Sequence, residues 1–247
     1  MTQTIQPHIK LKEVDEICLI SGNPDRVPTI ANNLNDSHKV AEHRGLVAYK
    51  GKTPRKDIPV TVLTTGMGCP STVIVLEEAF RAGGRIFIRI GSTGSLITGK
   101  DMGIGAIVIP YAAIRNEGTS LQLTPLEVPA VATPRIYQAL CAAANNLDVP
   151  YKTGMVWSTD IYYSDEPNHY IKYTPYGAVC VEMESSTLFI FGSNKKIETG
   201  TILTSDGNIE DKVNIYIGDV EKNNKIFELG VKRSVECAIG AIEALKT

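Results

Sequence analysis

Two segments of this chain set arginine beside glycine at the end of a short apolar run: Gly22-Asn23-Pro24-Asp25-Arg26, and Arg89-Ile90-Gly91-Ser92-Thr93-Gly94. Glycine lets backbone N–H groups come close to an anion, the hydroxyls of Ser92 and Thr93 can donate to it, and a guanidinium grips phosphate in a planar fork. The spacing matches neither G-x-G-x-x-G nor a Walker A loop, so neither a dinucleotide nor a triphosphate is implied. An ordinary turn with surface arginines would carry similar residues. Arg89 argues for the anion site, because a charge embedded in Ile86-Phe87-Ile88-Arg89-Ile90 is rarely left without a partner.

A third segment, Val181-Glu182-Met183-Glu184-Ser185, supplies two carboxylates two residues apart. In an extended chain Glu182 and Glu184 project to one side and Met183 to the other. An ionised carboxylate only accepts hydrogen bonds and can receive both hydroxyls of a ribose cis-diol, while a thioether gives flexible apolar contact to a sugar or base. A helix N-terminus with acids in its first turn would explain one of the two glutamates readily. The fourth segment, Thr204-Ser205-Asp206-Gly207, ends an apolar run in aspartate. Such an aspartate can simply open a turn. If it is buried, its pKa rises and it becomes a general acid able to protonate a departing base.

The elements that must position these groups are short. β-Rich runs recur at 17–22, 60–66, 85–94, 106–110, 155–160, 178–184 and 201–206, many of them continuously apolar, as expected for strands covered on both faces. Helical spacing of Val, Ile, Leu and Phe predicts a helix over 70–82 stopped by Gly83-Gly84. Thr133-Pro134 opens another as N-cap and first-turn proline, running to about Asn146, and 220–245 reads as a long amphipathic helix. No repeat, low-complexity tract or flexible linker divides the chain. The expectation is one α/β domain over 1–247 around a central mixed sheet, with the strand ends gathered on one rim where ligands collect in such folds.

The bulk numbers narrow the function class. The chain has 247 residues, 43% hydrophobic and 21% charged, with a formal net charge of −2. That balance gives no electrostatic footprint for nucleic acid, though a small anion needs only a local basic cluster. Cys18, Cys69, Cys141, Cys180 and Cys237 include no C-x-x-C pair, and His8, His38, His43 and His169 lack metal-site spacing. These features predict free thiols in a reducing compartment and no metal. A polar N-terminus without an apolar signal core, and no run near the roughly 18 apolar residues of a membrane helix, make the cytoplasm the expected location.

Taken together, Pro7-His8-Ile9, SGNPDRV, EHRG, TTGMGCPS, IRIGSTGS, WSTDIYY, VEMES and TSDG resemble, collinearly and over nearly the whole chain, the nucleoside phosphorylase family. Its members act on purine nucleosides, methylthioadenosine or uridine. The resemblance implies a central mixed, partly barrel-like β-sheet flanked by helices. It implies a phosphate cradle of Gly22, Arg26, Arg89 and Ser92, completed by Arg44 from an adjacent subunit. The implied nucleoside contacts are Met67, Met183 and Glu184 on ribose, His8 on a neighbour's 5′-hydroxyl, Tyr162 stacked on the base, and Glu182 bordering the same pocket. Asp206, with Ser205 beside it, matches the acid that purine enzymes place at N7. Two borrowed residues imply a homo-oligomer, a dimer at least and usually a hexamer as a trimer of dimers. The co-substrate is inorganic phosphate, with no organic cofactor.

Two departures bear on the base. Bacterial purine enzymes pair the acid with an arginine about a dozen residues later; the stretch after Asp206 has none, so that either Lys212 substitutes or the acid acts unassisted. Uridine enzymes carry Gln and Arg just after the aromatic pair, whereas Ser164-Asp165-Glu166-Pro167-Asn168 has neither. The expected reaction is therefore phosphorolysis of a purine ribonucleoside to free base and ribose 1-phosphate, with Asp206 and Arg89 catalytic. Uridine or methylthioadenosine phosphorolysis, hydrolysis by a nucleosidase, and non-catalytic nucleoside binding are the alternatives.

Overall fold

A computed structural model describes residues 4–97, 102–166, 169–209 and 212–246. Pro167 and Asn168, in the stretch compared with uridine enzymes, and Glu210 and Asp211, after the candidate acid, lie outside the described residues. Among the described residues, eleven strands form one mixed sheet. They are β1 (Ile17–Ser21), β2 (Asn35–His43), β3 (Leu46–Lys52), β4 (Pro59–Thr64), β5 (Ile86–Ser95), β6 (Ile107–Asn116), β7 (Ala130–Val131), β8 (Tyr151–Thr159), β9 (Ala178–Glu182), β10 (Glu198–Asn208) and β11 (Val213–Asn214). Strands β10, β6, β8, β9 and β5 close on themselves into a barrel, because β5 pairs with both β9 and β10. Strands β1, β4, β3 and β2 extend the sheet from β5. The helices are α1 (Arg26–Ala31), α2 (Cys69–Arg81), α3 (Gly118–Leu123), α4 (Pro134–Asn146), α5 (Ser185–Lys195) and α6 (Val220–Leu245).

Alternation along the strands explains the two main cores. Ile17 and Leu19 of β1 and Ile86, Ile88 and Ile90 of β5 pack with Val27 and Ile30 of α1, Ile136 and Leu140 of α4, and Val235 and Ile242 of α6. The intervening Cys18, Ile20 and Phe87 pack toward Val75 and Leu76 of α2 and Leu188 and Phe189 of α5. With both faces covered, β1 is buried throughout, which is why its sequence reads as an unbroken apolar run. Period two then assigns Arg89, two residues after Phe87, to the α2/α5 face.

The shared-rim expectation needs correction. β1, β4, β5 and β10 run in parallel, but β9 is antiparallel to β5 and β6 antiparallel to β10, so β6, β8 and β9 point the other way. One edge of β5 pairs with β10 along its length. The other pairs with β1 over Ile86–Arg89 and then with β9 at Gly94 and Ser95. The carboxyl ends of β1 and β9 therefore approach head-on along one strand edge, delivering Gly22 from one side and Glu182 from the other.

Other differences are local. The strand expected over 106–110 continues to Asn116, past Pro110, by absorbing a register shift between Pro110 and Ala112. The extended run expected over 178–184 stops at Glu182, and Glu184 is the N-cap residue of α5. Thr133 stands at the N-cap of α4, but its hydroxyl accepts from the Thr199 N–H. The hairpin β2–β3 turns through Arg44 and Gly45, both at positive φ (54° and 75°), the two-residue geometry that suits the twist of paired strands.

Candidate active site

Arg89 is the centre of the buried charge network. Its Nε and Nη2 each lie 3.1 Å from Glu182 Oε2, and Nη2 lies 2.5 Å from Glu184 Oε2. Burial alone would lower the arginine pKa, but Glu184 and Glu182 outweigh it and hold the guanidinium above its ordinary value. Both glutamates therefore do fall on one side, as the extended reading required, and α5 also starts there, as the helix-start reading required. The same pair serves both purposes.

Helix N-termini complete the anchoring. Glu184 Oε1 accepts from the Gly68 N–H at 2.6 Å, just before α2. Glu182 accepts from the N–H groups of Glu184 and Ser185 at 3.0 Å and from the Ser158 hydroxyl of β8 at 2.5 Å. Orphan N–H groups and the positive ends of two helices thus stabilise two carboxylates that would be costly alone. Even so, burial pushes the Glu184 pKa up, against the opposing pull of Arg89.

Gly22 closes against this network. A Cβ on Gly22 would stand 3.2 Å from the Gly66 carbonyl oxygen and 3.8 Å from both Arg89 Nη1 and Glu184 Oε1. Arg26, the first residue of α1, is buried, donates weakly to the Ile90 carbonyl at 3.4 Å, and lies 5.8 Å from the centre of the Phe227 ring. Burial and the neighbouring Arg89 lower its pKa to about 10. Ser92, partly buried, pairs across the ladder with Thr204.

Asp206 does not open a turn. It lies inside β10 at a bulge, between Ser205 paired with Thr93 and Gly207 paired with Gly94. A bulge leaves one residue out of register and re-aims its side chain. Burial raises the Asp206 pKa from 3.8 to about 6, opposed by its own backbone N–H and by Arg26. Arg26 acts electrostatically on both Asp206 and Glu184, so acid, guanidinium and carboxylate share one field. Ser205 is fully buried and its hydroxyl donates to the Gly207 carbonyl at 2.9 Å, which fastens the bulge.

The remaining candidates sit at the margin or away from it. Met67 is 84% exposed and Tyr162 57% exposed, so neither is covered by its own chain; Met183 is partly buried. Tyr162 packs edge-on against Tyr163, with ring centres 4.8 Å apart. Arg44 is exposed at its hairpin tip, and Lys212 is exposed at positive φ. His8 is held by Glu78 of α2, ring Nδ1 to Oε1 at 2.5 Å. At 1.5 Å per residue, Glu78 lies about 15 Å along the helix from Gly68, so His8 is remote from its own chain's network.

Sequence reasoning missed Ser158, Gly68 and Glu117. Ser158 and Gly68 lie within WSTDIYY and TTGMGCPS but carry no charge to advertise them. Glu117 N-caps α3 through Thr119 and Ser120 and accepts from the Ser186 hydroxyl. The ligand atoms of Cys69, Glu117 and Asp160 come within 4.8 Å of one another, a spacing compatible with a metal ion. The carboxylates there already accept N–H and O–H donors, Asp160 from Gly118, which accounts for the cluster as a tie between loops.

Comparison with known proteins identifies the family. The family model described as the phosphorylase superfamily matches residues 16–244. A guanosine phosphorylase of Halorubrum lacusprofundi is 34% identical over 97% of this chain and 99% of its own length. A uridine phosphorylase of Treponema pallidum is 34% identical over 81% of each chain. The solved structure of purine nucleoside phosphorylase from Toxoplasma gondii, in complex with immucillin-H, superposes with a TM-score of 0.87 at 28% identity, covering 98% of this chain and 96% of that one. With a charge network of this kind at the barrel and these relatives across its length, the chain belongs to the nucleoside phosphorylase family of the phosphorylase superfamily.

Proposed function

We propose that the protein cleaves purine ribonucleosides by phosphorolysis, yielding free base and ribose 1-phosphate. The observation that carries this reading is Asp206, an aspartate held at a strand bulge with its pKa raised to about 6, in electrostatic reach of Arg26. A purine departs more readily once N7 is protonated; uracil has no N7. The names of the relatives divide between purine and uridine enzymes; the acid favours the purine reading, and the guanosine phosphorylase likeness over nearly the full chain supports it.

In this mechanism Gly22, Arg26, Arg89 and Ser92 hold phosphate beneath C1′, where its charge stabilises an oxocarbenium-like transition state. Glu184, with Met67 and Met183, holds the ribose, and Tyr162 covers the base. Phosphate takes the part that a second carboxylate plays in glycoside hydrolysis, so the chemistry draws on side chains and the co-substrate alone.

Charge balance supports a borrowed arginine. Arg26 and Arg89 are offset by Glu182 and Glu184, leaving no surplus positive charge for an anion. Arg44, at the end of a projecting hairpin, supplies it to the neighbouring copy of a homo-oligomer, and His8 likewise serves a neighbour's site. A panel of inosine, guanosine, adenosine, methylthioadenosine and uridine, assayed with and without phosphate, tests the proposal. Base release at equal rates without phosphate, or uridine outrunning every purine, would overturn it.

A further inference from the structure

Glu182 has no room for a substrate. Its side chain is 2% exposed, and both oxygens are engaged: Oε1 by the Ser158 hydroxyl and the Ser185 N–H, Oε2 by Arg89 and the N–H groups of Glu184 and Ser185. These partners come from β8, β5 and the start of α5, three elements that meet only in the folded chain. On the guanidinium, Glu182 engages Nε and Nη2 and Glu184 engages Nη2, while Nη1 is the nitrogen nearest Gly22. The fork is clamped along one edge and presents the other to the glycine turn.

We infer that Glu182 is a positioning residue for anion binding: it fixes Arg89 so that Nη1 addresses an inorganic phosphate at Gly22, and it contacts neither nucleoside nor phosphate itself. This deepens the phosphorylase reading and rests on it. Ser158 is the second support, since its hydroxyl holds the carboxylate oxygen that Arg89 does not use.

The sign of one measurement separates positioning from charge. Glu182→Gln removes a negative charge beside the arginine pair, so electrostatics alone would tighten phosphate binding. Positioning demands the opposite, because the amide cannot accept at both ends and releases either Arg89 or the start of α5. We expect phosphate affinity, measured by calorimetry with inorganic phosphate and no nucleoside, to weaken roughly 10–100-fold, the range for a lost hydrogen bond to a charged group. The KM for phosphate should rise in step while the KM for nucleoside changes less than about 3-fold, within the ordinary scatter of an indirect effect. Ser158→Ala, which leaves the Arg89 contacts in place, should weaken phosphate in the same direction by a smaller factor and serves if the glutamine variant does not fold. Unchanged or tighter phosphate binding in the folded Glu182→Gln protein, or an unchanged Ser158→Ala protein, overturns the inference. A rise confined to the nucleoside KM would make Glu182 a substrate ligand instead. If the wild-type protein binds no phosphate, the phosphorylase reading itself fails.

Discussion

Replacing Asp206 with Asn should remove an acid without removing its shape, and the structure sets the scale of the effect. An aspartate at its ordinary 3.8 is protonated in about 1 molecule in 1,600 at pH 7; at about 6 the fraction is about 1 in 10. The site thus enriches the proton donor about 150-fold, worth about 3 kcal/mol at roughly 1.36 kcal/mol per pKa unit. Losing the donor should cut inosine or guanosine turnover by roughly 10²–10⁴-fold. A nucleoside already activated at N7, such as 7-methylguanosine, should lose far less. Wild-type kcat at saturating phosphate should decline as pH rises above about 6, and the variant should lack that decline. Stability moves the other way. A carboxyl whose folded pKa is raised contributes stability fully present below about 4 and lost as pH rises through about 6. Asp206→Asn should therefore be more stable than wild type at pH 8, by up to about 3 kcal/mol, and no more stable at pH 4. Equal turnover losses on inosine and 7-methylguanosine, or a melting difference independent of pH, would refute the acid.

Mixing inactive Arg44→Ala subunits with inactive Glu184→Ala subunits should restore part of the activity, because the mixed interface rebuilds one intact site; no recovery after verified subunit exchange would mean that each site is built from one chain. Replacing phosphate with arsenate should sustain base release, whereas a buffer with neither should abolish it, as assayed by free base. Gly91→Ala puts a Cβ 2.7 Å from Arg89 Cζ and 2.8 Å from Leu203 Cδ2, so phosphate KM should rise and thermal stability fall by about 1–3 kcal/mol; an unchanged phosphate KM would show that Arg89 need not hold its place. Arg115 donates to the carbonyls of Ser120, Thr124, Pro125, Leu126 and Val128, and Arg115→Ala should lower stability by about 3–5 kcal/mol, read by denaturant melts.

Much of this molecule was legible in one dimension because strands covered on both faces advertise themselves as apolar runs. That is how β1, β4 and β5 were placed within a residue or two, with β10 starting three residues earlier than expected, and why the charge of Arg89 stood out among isoleucines. The long helix α6 followed from its amphipathic periodicity, and α2 from periodicity and the Gly83-Gly84 stop. The hairpin β2–β3 was not found, since its exposed edge strand lacks an apolar signal, and α5 was hidden because it is buried on nearly all sides and so has almost no amphipathic contrast.

The sequence by itself determined which chemistry was available: guanidiniums, glycines, paired carboxylates and one acid at the ends of apolar runs. It could not determine who meets whom. Strand direction decided that, because β9 runs against β5 and β1 with it, so Glu182 and Gly22 arrive from opposite sides at one arginine. Nor could spacing tell that Glu182 would be enclosed by five donors while Glu184 keeps its place beside Gly22, or that a bulge would hold Asp206 in a buried strand with its pKa near 6. Residue type is written in the chain, but burial, partner and field belong to contacts between segments far apart in sequence, and these exist only once the barrel has closed.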